Sequence, residues 1–129
     1  MTSVFDASAI LALVNREEGA ARVAELLASD EQPVISAVNA LEVMSRLIDG
    51  GLTAAEAQVA IDGLALDVVP LAYADAVDAA RLRPATRHLG LSIGDRACLA
   101  LAERRRVPAV TADRSWERLA LTIAVVVIR

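Results

Sequence analysis

A single α/β domain with a mainly parallel sheet of about five strands is the fold class this sequence predicts. Two patterns predict it. Five short runs, "SVF", "PVIS", "DVVP", "PAVT" and "TIAVVVI", are apolar almost throughout instead of alternating with polar residues, as strands do when helices cover both faces of a parallel sheet. The stretches between most of them carry apolar residues at helical spacing, which supplies the right-handed crossovers that parallel strands need. The 129 residues hold no internal repeat, low-complexity tract or linker. One domain spanning residues 1–129 is therefore expected, large enough to bury a core without disulfides or a structural metal.

The first strand, Ser3 to Phe5, runs through Asp6 into a helix over "ASAILALVNRE". A second helix covers about "EGAARVAELLASD", with Val23, Leu26 and Leu27 inward, Arg22 and Glu25 outward, and it stops in polar residues before Pro33. After "PVIS", the helix "AVNALEVMSRLIDGG" is predicted to align Ala37, Leu41, Met44 and Ile48 in one stripe, and the Gly50–Gly51 pair ends it. Thr53, with Glu56 three residues on, reads as a capping box for "TAAEAQVAIDGLAL". "DVVP" leads into a helix from about Ala72 to Leu82, broken or kinked at Pro84. The last long helix, "LSIGDRACLALAERRR", ends in the run Glu103 to Arg106, whose cations suit a helix C-terminus, and feeds "PAVT".

Composition narrows the chemistry. A net charge of −4 argues against non-specific nucleic-acid binding through a basic surface, but leaves room for a nucleic acid held partly through bound cations. Cys98, the lone cysteine, lies between Ala97 and Leu99 and reads as a buried reduced thiol. His88 is the only histidine, which leaves little for a histidine zinc site or a Ser-His-Asp triad, so a metal would be held by oxygen ligands. All 13 basic residues are arginine, and this excludes mechanisms that require lysine. The longest apolar run, near "LALTIAVVVI", is too short to cross a bilayer, and "MTSVFDAS" lacks the pattern of a signal peptide. A cytoplasmic protein with no membrane span is expected.

Four carboxylates stand in suggestive places. Asp6 follows the first strand and Asp113 follows the fourth, at the strand ends where ligands collect in open parallel sheets. Glu42 lies in the helix after the second strand, and Asp95 in the first turn of the helix that feeds the fourth. Each also has a local explanation: Asp6 and Asp113 as caps, Ser92 with Asp95 as a capping box, Glu42 as a partner of Arg46 one turn later. Four such acids on one sheet edge cannot all ionise without a counter-charge, and hard divalent cations prefer this kind of oxygen donor.

In this order and over the whole chain, "VFDASAIL", "ISAVNALEV", "LSIGDRACLALA" and "VTADRSW" resemble the PIN-domain proteins, specifically the VapC toxins of bacterial type II toxin–antitoxin pairs. The resemblance implies a three-layer α/β/α sandwich and a Mg²⁺- or Mn²⁺-dependent endoribonuclease that hydrolyses RNA phosphodiester bonds, leaving 5′-phosphate and 3′-hydroxyl ends. It makes Asp6, Glu42, Asp95 and Asp113 the acidic quartet, none of them replaced here. One or two ions would be bound by Asp6, Asp95 and Asp113, with Glu42 binding a second ion or orienting water. Ser8 and Thr111 match small hydroxyl positions beside the acids, as supports of ligating carboxylates or as local caps; Asn39 either orients Glu42 or is a helix-surface amide.

The resemblance also implies a VapB-type antitoxin lying over the cleft and often offering an Arg to the acids, a homodimer, and a toxin–antitoxin hetero-oligomer. The Ala- and Leu-rich helices "AARVAELLA" and "AAEAQVAIDGLAL" offer apolar surface either for such partners or for the core. Arg87, Arg96 and Arg114 either steer an RNA backbone or are surface charges neutralising the site, while Trp116 anchors the turn after Asp113 from behind. Three rival classes are weaker. A haloacid-dehalogenase-like phosphatase wants a second Asp where Ser8 stands, and a phospho-acceptor receiver domain needs a strand-end lysine. An inactive PIN-like binding module would keep the fold and lack the chemistry.

Overall fold

The sheet is built from strands of only two or three residues: β1 (Val4–Phe5), β2 (Val34–Ser36), β3 (Asp67–Val69), β4 (Ala109–Thr111) and β5 (Val125–Val127). The computed structural model describes residues 2–129. All strand pairs are parallel, in the order β3-β2-β1-β4-β5, with Val4 opposite both Val34 and Ala109. Among the described residues seven helices accompany them: α1 (Ala7–Val14), α2 (Ala20–Ser29), α3 (Ala37–Asp49), α4 (Ala54–Asp62), α5 (Tyr73–Arg81), the short α6 (Arg83–Thr86) and α7 (Ile93–Arg105).

Side chains leave successive strand residues on opposite faces, and this divides the core in two. Phe5, Ile35 and Val110 face a cluster with Ile10, Val23, Val43 and Ile61 of α1 to α4. Val4, Val34 and Ala109 face the other side, against Cys98, Leu99 and Ala102 of α7 and against Trp116. The result is the three-layer α/β/α arrangement. Every residue of β1, β2 and β4 is buried, which is why those runs carry no alternation, whereas the edge strands β3 and β5 are half-exposed. Cys98 is a buried free thiol, as composition suggested. Among the described residues no helix is long and apolar enough to cross a membrane.

Local signals set most boundaries. Thr53 and Glu56 form the expected capping box of α4. The helix over "YADAVDAAR" ends at Arg81, and Pro84 falls in the first turn of a separate short helix, where its missing N–H costs nothing. The basic end of α7 is engaged on both sides, since Arg104 pairs with Asp75 and Asp78 of α5 and Arg105 lies 3.8 Å from Asp67.

The stripe expected on α3 is overturned. Leu41 is 62% exposed and Ile48 44%, while Asn39, Ala40, Val43 and Leu47 are the buried positions. The helix is rotated because it packs against α1, α4 and α7 at once, and because a polar side chain, Asn39, is drawn into the interior.

The chain runs β1, β2, β3 outward on one side, then α5 to α7 carry it back to place β4 on the other side of β1. Strand order therefore reverses between β1 and β4, and a crevice at their carboxyl ends is the expected ligand position. One close approach joins the start of α2 to the chain after β5: Gly19, at φ +94°, lies so near that an added methyl would sit 2.8 Å from Ile128 Cδ1 and 2.9 Å from its carbonyl oxygen. Gly19→Ala is expected to lower stability by about 2 kcal/mol through backbone strain and overpacking, read as an earlier midpoint in chemical denaturation.

Candidate active site

Asp6, the first residue after β1, is 2% exposed. Its Oδ1 accepts the Ala9 N–H at 2.8 Å and so caps α1. A cap needs no more than this, yet the carboxylate has further partners. The Thr111 hydroxyl donates to Oδ2 at 2.6 Å, and the Ser8 hydroxyl lies 2.8 and 2.9 Å from the two oxygens. Those hydroxyls are themselves held: Thr111 Oγ1 accepts the Asp113 N–H at 3.0 Å, and Ser8 Oγ accepts the Ala112 N–H at 2.9 Å. The end of β4 is thereby laced to the acid at the end of β1. Ser8 and Thr111 both hydrogen-bond that acid.

Burial pushes the Asp6 carboxyl up to about 6 from 3.8, against the lowering effect of its bonds from Thr111, Ala9 and Ser8, and the charge of Asp95 pushes in the same direction. Glu42, on α3, is raised by burial and then by Asp95, and is eased by the Arg46 charge. No ion pair joins Glu42 to Arg46 among the described residues. Asp95 thus acts electrostatically on both Asp6 and Glu42, which brings these three acids into one field.

Asp95 completes the capping box of α7: Ser92 N–H donates to its Oδ2 at 2.9 Å, and its own N–H donates to Ser92 Oγ at 3.1 Å. Asp113 stands one step apart. Its Oδ1 accepts the Ser115 N–H at 2.9 Å, capping the 3₁₀ turn Arg114–Arg118, and its backbone N–H is linked to Asp6 through the Thr111 hydroxyl. Behind this turn Trp116 is fully buried, as expected. Local capping and a shared site are therefore not alternatives for these acids. Asp6, Asp95 and Asp113 cap backbone N–H groups and stand at the same sheet edge.

Asn39 corrects the surface-amide alternative. It is 0% exposed; its Oδ1 accepts the Ala7 N–H at 3.0 Å and its Nδ2 donates to the Gly94 carbonyl at 3.1 Å. It ties the first turns of α1 and α7 to α3 three residues before Glu42, and makes no hydrogen bond to that acid. Gly94 escaped notice in the sequence. A Cβ there would lie 3.4 Å from Glu42 Oε2, at the edge of ordinary van der Waals contact, so the acid of α3 stands close against the start of α7. Its signal is a glycine inside the first turn of a helix, between Ser92 and Asp95.

The three arginines near the acids diverge. Arg96, half-buried, turns toward α5, where its Nη1 lies 3.5 Å from the Ala79 carbonyl and its Nε is buried with no partner among the described residues, so its guanidinium is directed at α5 and not at the acids. Arg114 donates from Nε to the Arg129 carbonyl at 2.8 Å. Arg87 is exposed in a 3₁₀ turn before α7.

Among the described residues no three acidic, histidine or cysteine side chains already converge on one point. Three of the four carboxylates bind backbone N–H groups. The donor set nevertheless fits a hard divalent cation: it is all oxygen, one member is desolvated, and three members lie in one field.

Comparison with known proteins gives the same frame. Residues 3–121 match the family model described as PIN domain. No curated protein sequence matches the chain. Among solved structures, a toxin–antitoxin complex from Klebsiella pneumoniae is 21% identical with a TM-score of 0.74, covering 98% of each chain. VapBC2 from Rickettsia felis, bound to a DNA fragment from its promoter, is 18% identical with a TM-score of 0.70 over 97% of each chain. VapC20 from Mycobacterium tuberculosis, a sarcin–ricin loop cleaving toxin, is 13% identical with a TM-score of 0.74, covering 93% of this chain and 96% of that one. These structures share the fold, the family model spans nearly the whole of it, and the chain belongs to the PIN-domain family.

Proposed function

We propose that the chain is a divalent-metal-dependent endoribonuclease and the toxin of a type II toxin–antitoxin pair. The observation that carries the enzyme reading is Asp6: a buried carboxylate at the reversal of strand order, held by two hydroxyls and in the field of Asp95, which also acts on Glu42. Burying a charge without a cationic partner is costly, and a site that does so is prepared for a cation.

Asp6, Asp95 and Asp113 are the residues proposed to hold Mg²⁺ or Mn²⁺, with Glu42 as a further ligand or as the group that orients water. Bound there, the ion supplies a water of lowered pKa and charge neutralisation for phosphodiester hydrolysis. Thr111 and Ser8 keep the Asp6 oxygens fixed in direction through hydroxyls that are themselves anchored to backbone N–H groups. Glu42, raised in pKa and only partly buried, is suited to take a proton from water.

The partner half of the proposal rests on the solved toxin–antitoxin complexes that share this fold and on apolar side chains left outside the core. Leu41, Ile48 and Val59 on α3 and α4 are exposed and suit a VapB-type antitoxin or a second copy of the chain. The purified chain, freed of any antitoxin, is expected to cut RNA with Mn²⁺ or Mg²⁺ and to stop when EDTA is added. Asp95→Asn, which keeps a capping side chain, is expected to lose at least about 100-fold of that rate. Wild-type cleavage by Asp95→Asn, or cleavage that persists in EDTA, would sink the reading.

A further inference from the structure

A groove of about 610 Å³ runs between α1 and α3, lined among others by Ser8, Leu11, Arg46, Asp49 and Arg129. Ser8 is also the residue whose hydroxyl holds Asp6, so one end of the groove lies one side chain away from that acid. Arg46 stands on the same helix as Glu42, four residues later, which places it about 6 Å further along the axis. It is exposed, and among the described residues it makes no ion pair and no side-chain hydrogen bond. The other guanidinium of the groove is engaged: Arg129 Nη1 donates to Glu17 Oε1 and to the Glu18 carbonyl, both at 3.2 Å. Arg46, whose charge reaches Glu42 without touching it, is therefore the cation of this groove that makes no ion pair among the described residues.

We propose that this groove receives a backbone phosphate of the RNA flanking the scissile one, with Arg46 as its principal donor and Arg129 as a second. The assignment deepens the ribonuclease reading and rests on it. A polyanion that reaches a cluster of carboxylates needs fixed cations beside the cluster, and the planar guanidinium fork matches phosphate oxygens in pairs. A docked protein helix suits the groove less well. Such recognition uses a row of apolar anchors, and Leu11 is the only large apolar side chain in the lining.

The test uses the whole 129-residue chain as Asp95→Asn, so that RNA survives, with Mg²⁺ and a fluorescein-labelled single-stranded RNA of random sequence, read by anisotropy over a salt series. Adding Arg46→Ala is expected to weaken binding by about tenfold, the loss of one charge-assisted contact. It is also expected to reduce the log–log salt slope by about 0.7. Arg46→Lys keeps the slope and recovers only part of the affinity, and Arg22→Ala, outside the groove on α2, changes neither. An unchanged affinity and slope in Arg46→Ala overturns the proposal, as does an effect confined to antitoxin binding. Failure of the unsubstituted chain to cleave RNA with metal would instead remove the ribonuclease reading, and Arg46-dependent phosphate binding would survive it.

Discussion

Asp6→Asn is expected to abolish metal-dependent RNA cleavage and, at the same time, to make the metal-free chain more stable than its parent at pH 8. The two effects have one cause. The Asp6 carboxyl is desolvated to the point that its value rises from 3.8 to about 6 in the folded chain, although three hydrogen-bonding groups favour its charge. Because the folded value lies above the unfolded one, the stabilising contribution of this group is complete below about pH 4 and is lost as the pH passes about 6. At pH 8 the buried charge then costs about 3 kcal/mol relative to the protonated form.

An asparagine removes that cost while keeping an oxygen for the Ala9 N–H, and Asn is as good an N-cap as Asp. Its amide nitrogen must meet the Ser8 or Thr111 hydroxyl, either of which can turn to accept. The net gain is therefore smaller, about 1–2 kcal/mol at pH 8 and near zero at about pH 4. Urea denaturation in EDTA at the two pH values measures it. A variant less stable than its parent at pH 8 would show that Asp6 is held as a structural cap and not as a desolvated ligand. Added Mg²⁺ or Mn²⁺ is expected to stabilise the parent and not the variant, since only binding to the folded state raises its stability.

Much of this site was legible because parallel strands are short and directional. Once "SVF" and "PAVT" are strands, the residues after them must lie at one sheet edge, so Asp6, Thr111 and Asp113 follow from position alone. The capping boxes at Thr53 and Ser92 were legible for a similar reason: both partners are three residues apart. What stayed hidden depends on distant residues. The rotation of α3 is decided by three neighbouring helices and by a buried amide, so the apolar period pointed to Leu41 and Ile48, which are exposed. Nothing near Arg96 in sequence indicates that it turns to the Ala79 carbonyl, and nothing near Gly19 indicates that Ile128 will press on it. Proximity in sequence to an acid thus says little about an arginine's direction.

Asn39→Ala is expected to be the most damaging substitution outside the four acids. The side chain is fully buried and satisfies two buried backbone groups from different elements, the Ala7 N–H and the Gly94 carbonyl. Truncation leaves both buried groups without their partner, a loss of about 2–4 kcal/mol. The melting temperature is expected to fall by about 10 °C. The same bonds set the rotation of α3 and its approach to α7, so Glu42 and Asp95 lose their mutual placement, and cleavage is expected to fall even where the variant is still folded. Asn39→Asp separates the structural share from the electrostatic one. Its oxygen still accepts the Ala7 N–H, but it cannot donate to Gly94 when ionised, and it adds a negative charge near Glu42. At pH 8 it should be at least as unstable as the alanine variant, and at pH 5 it should recover as the new carboxyl protonates and regains a donor. Equal stability of Asn39→Asp at the two pH values would place that side chain outside the acidic field, and would remove the argument that one buried amide holds α1, α3 and α7 around the acids.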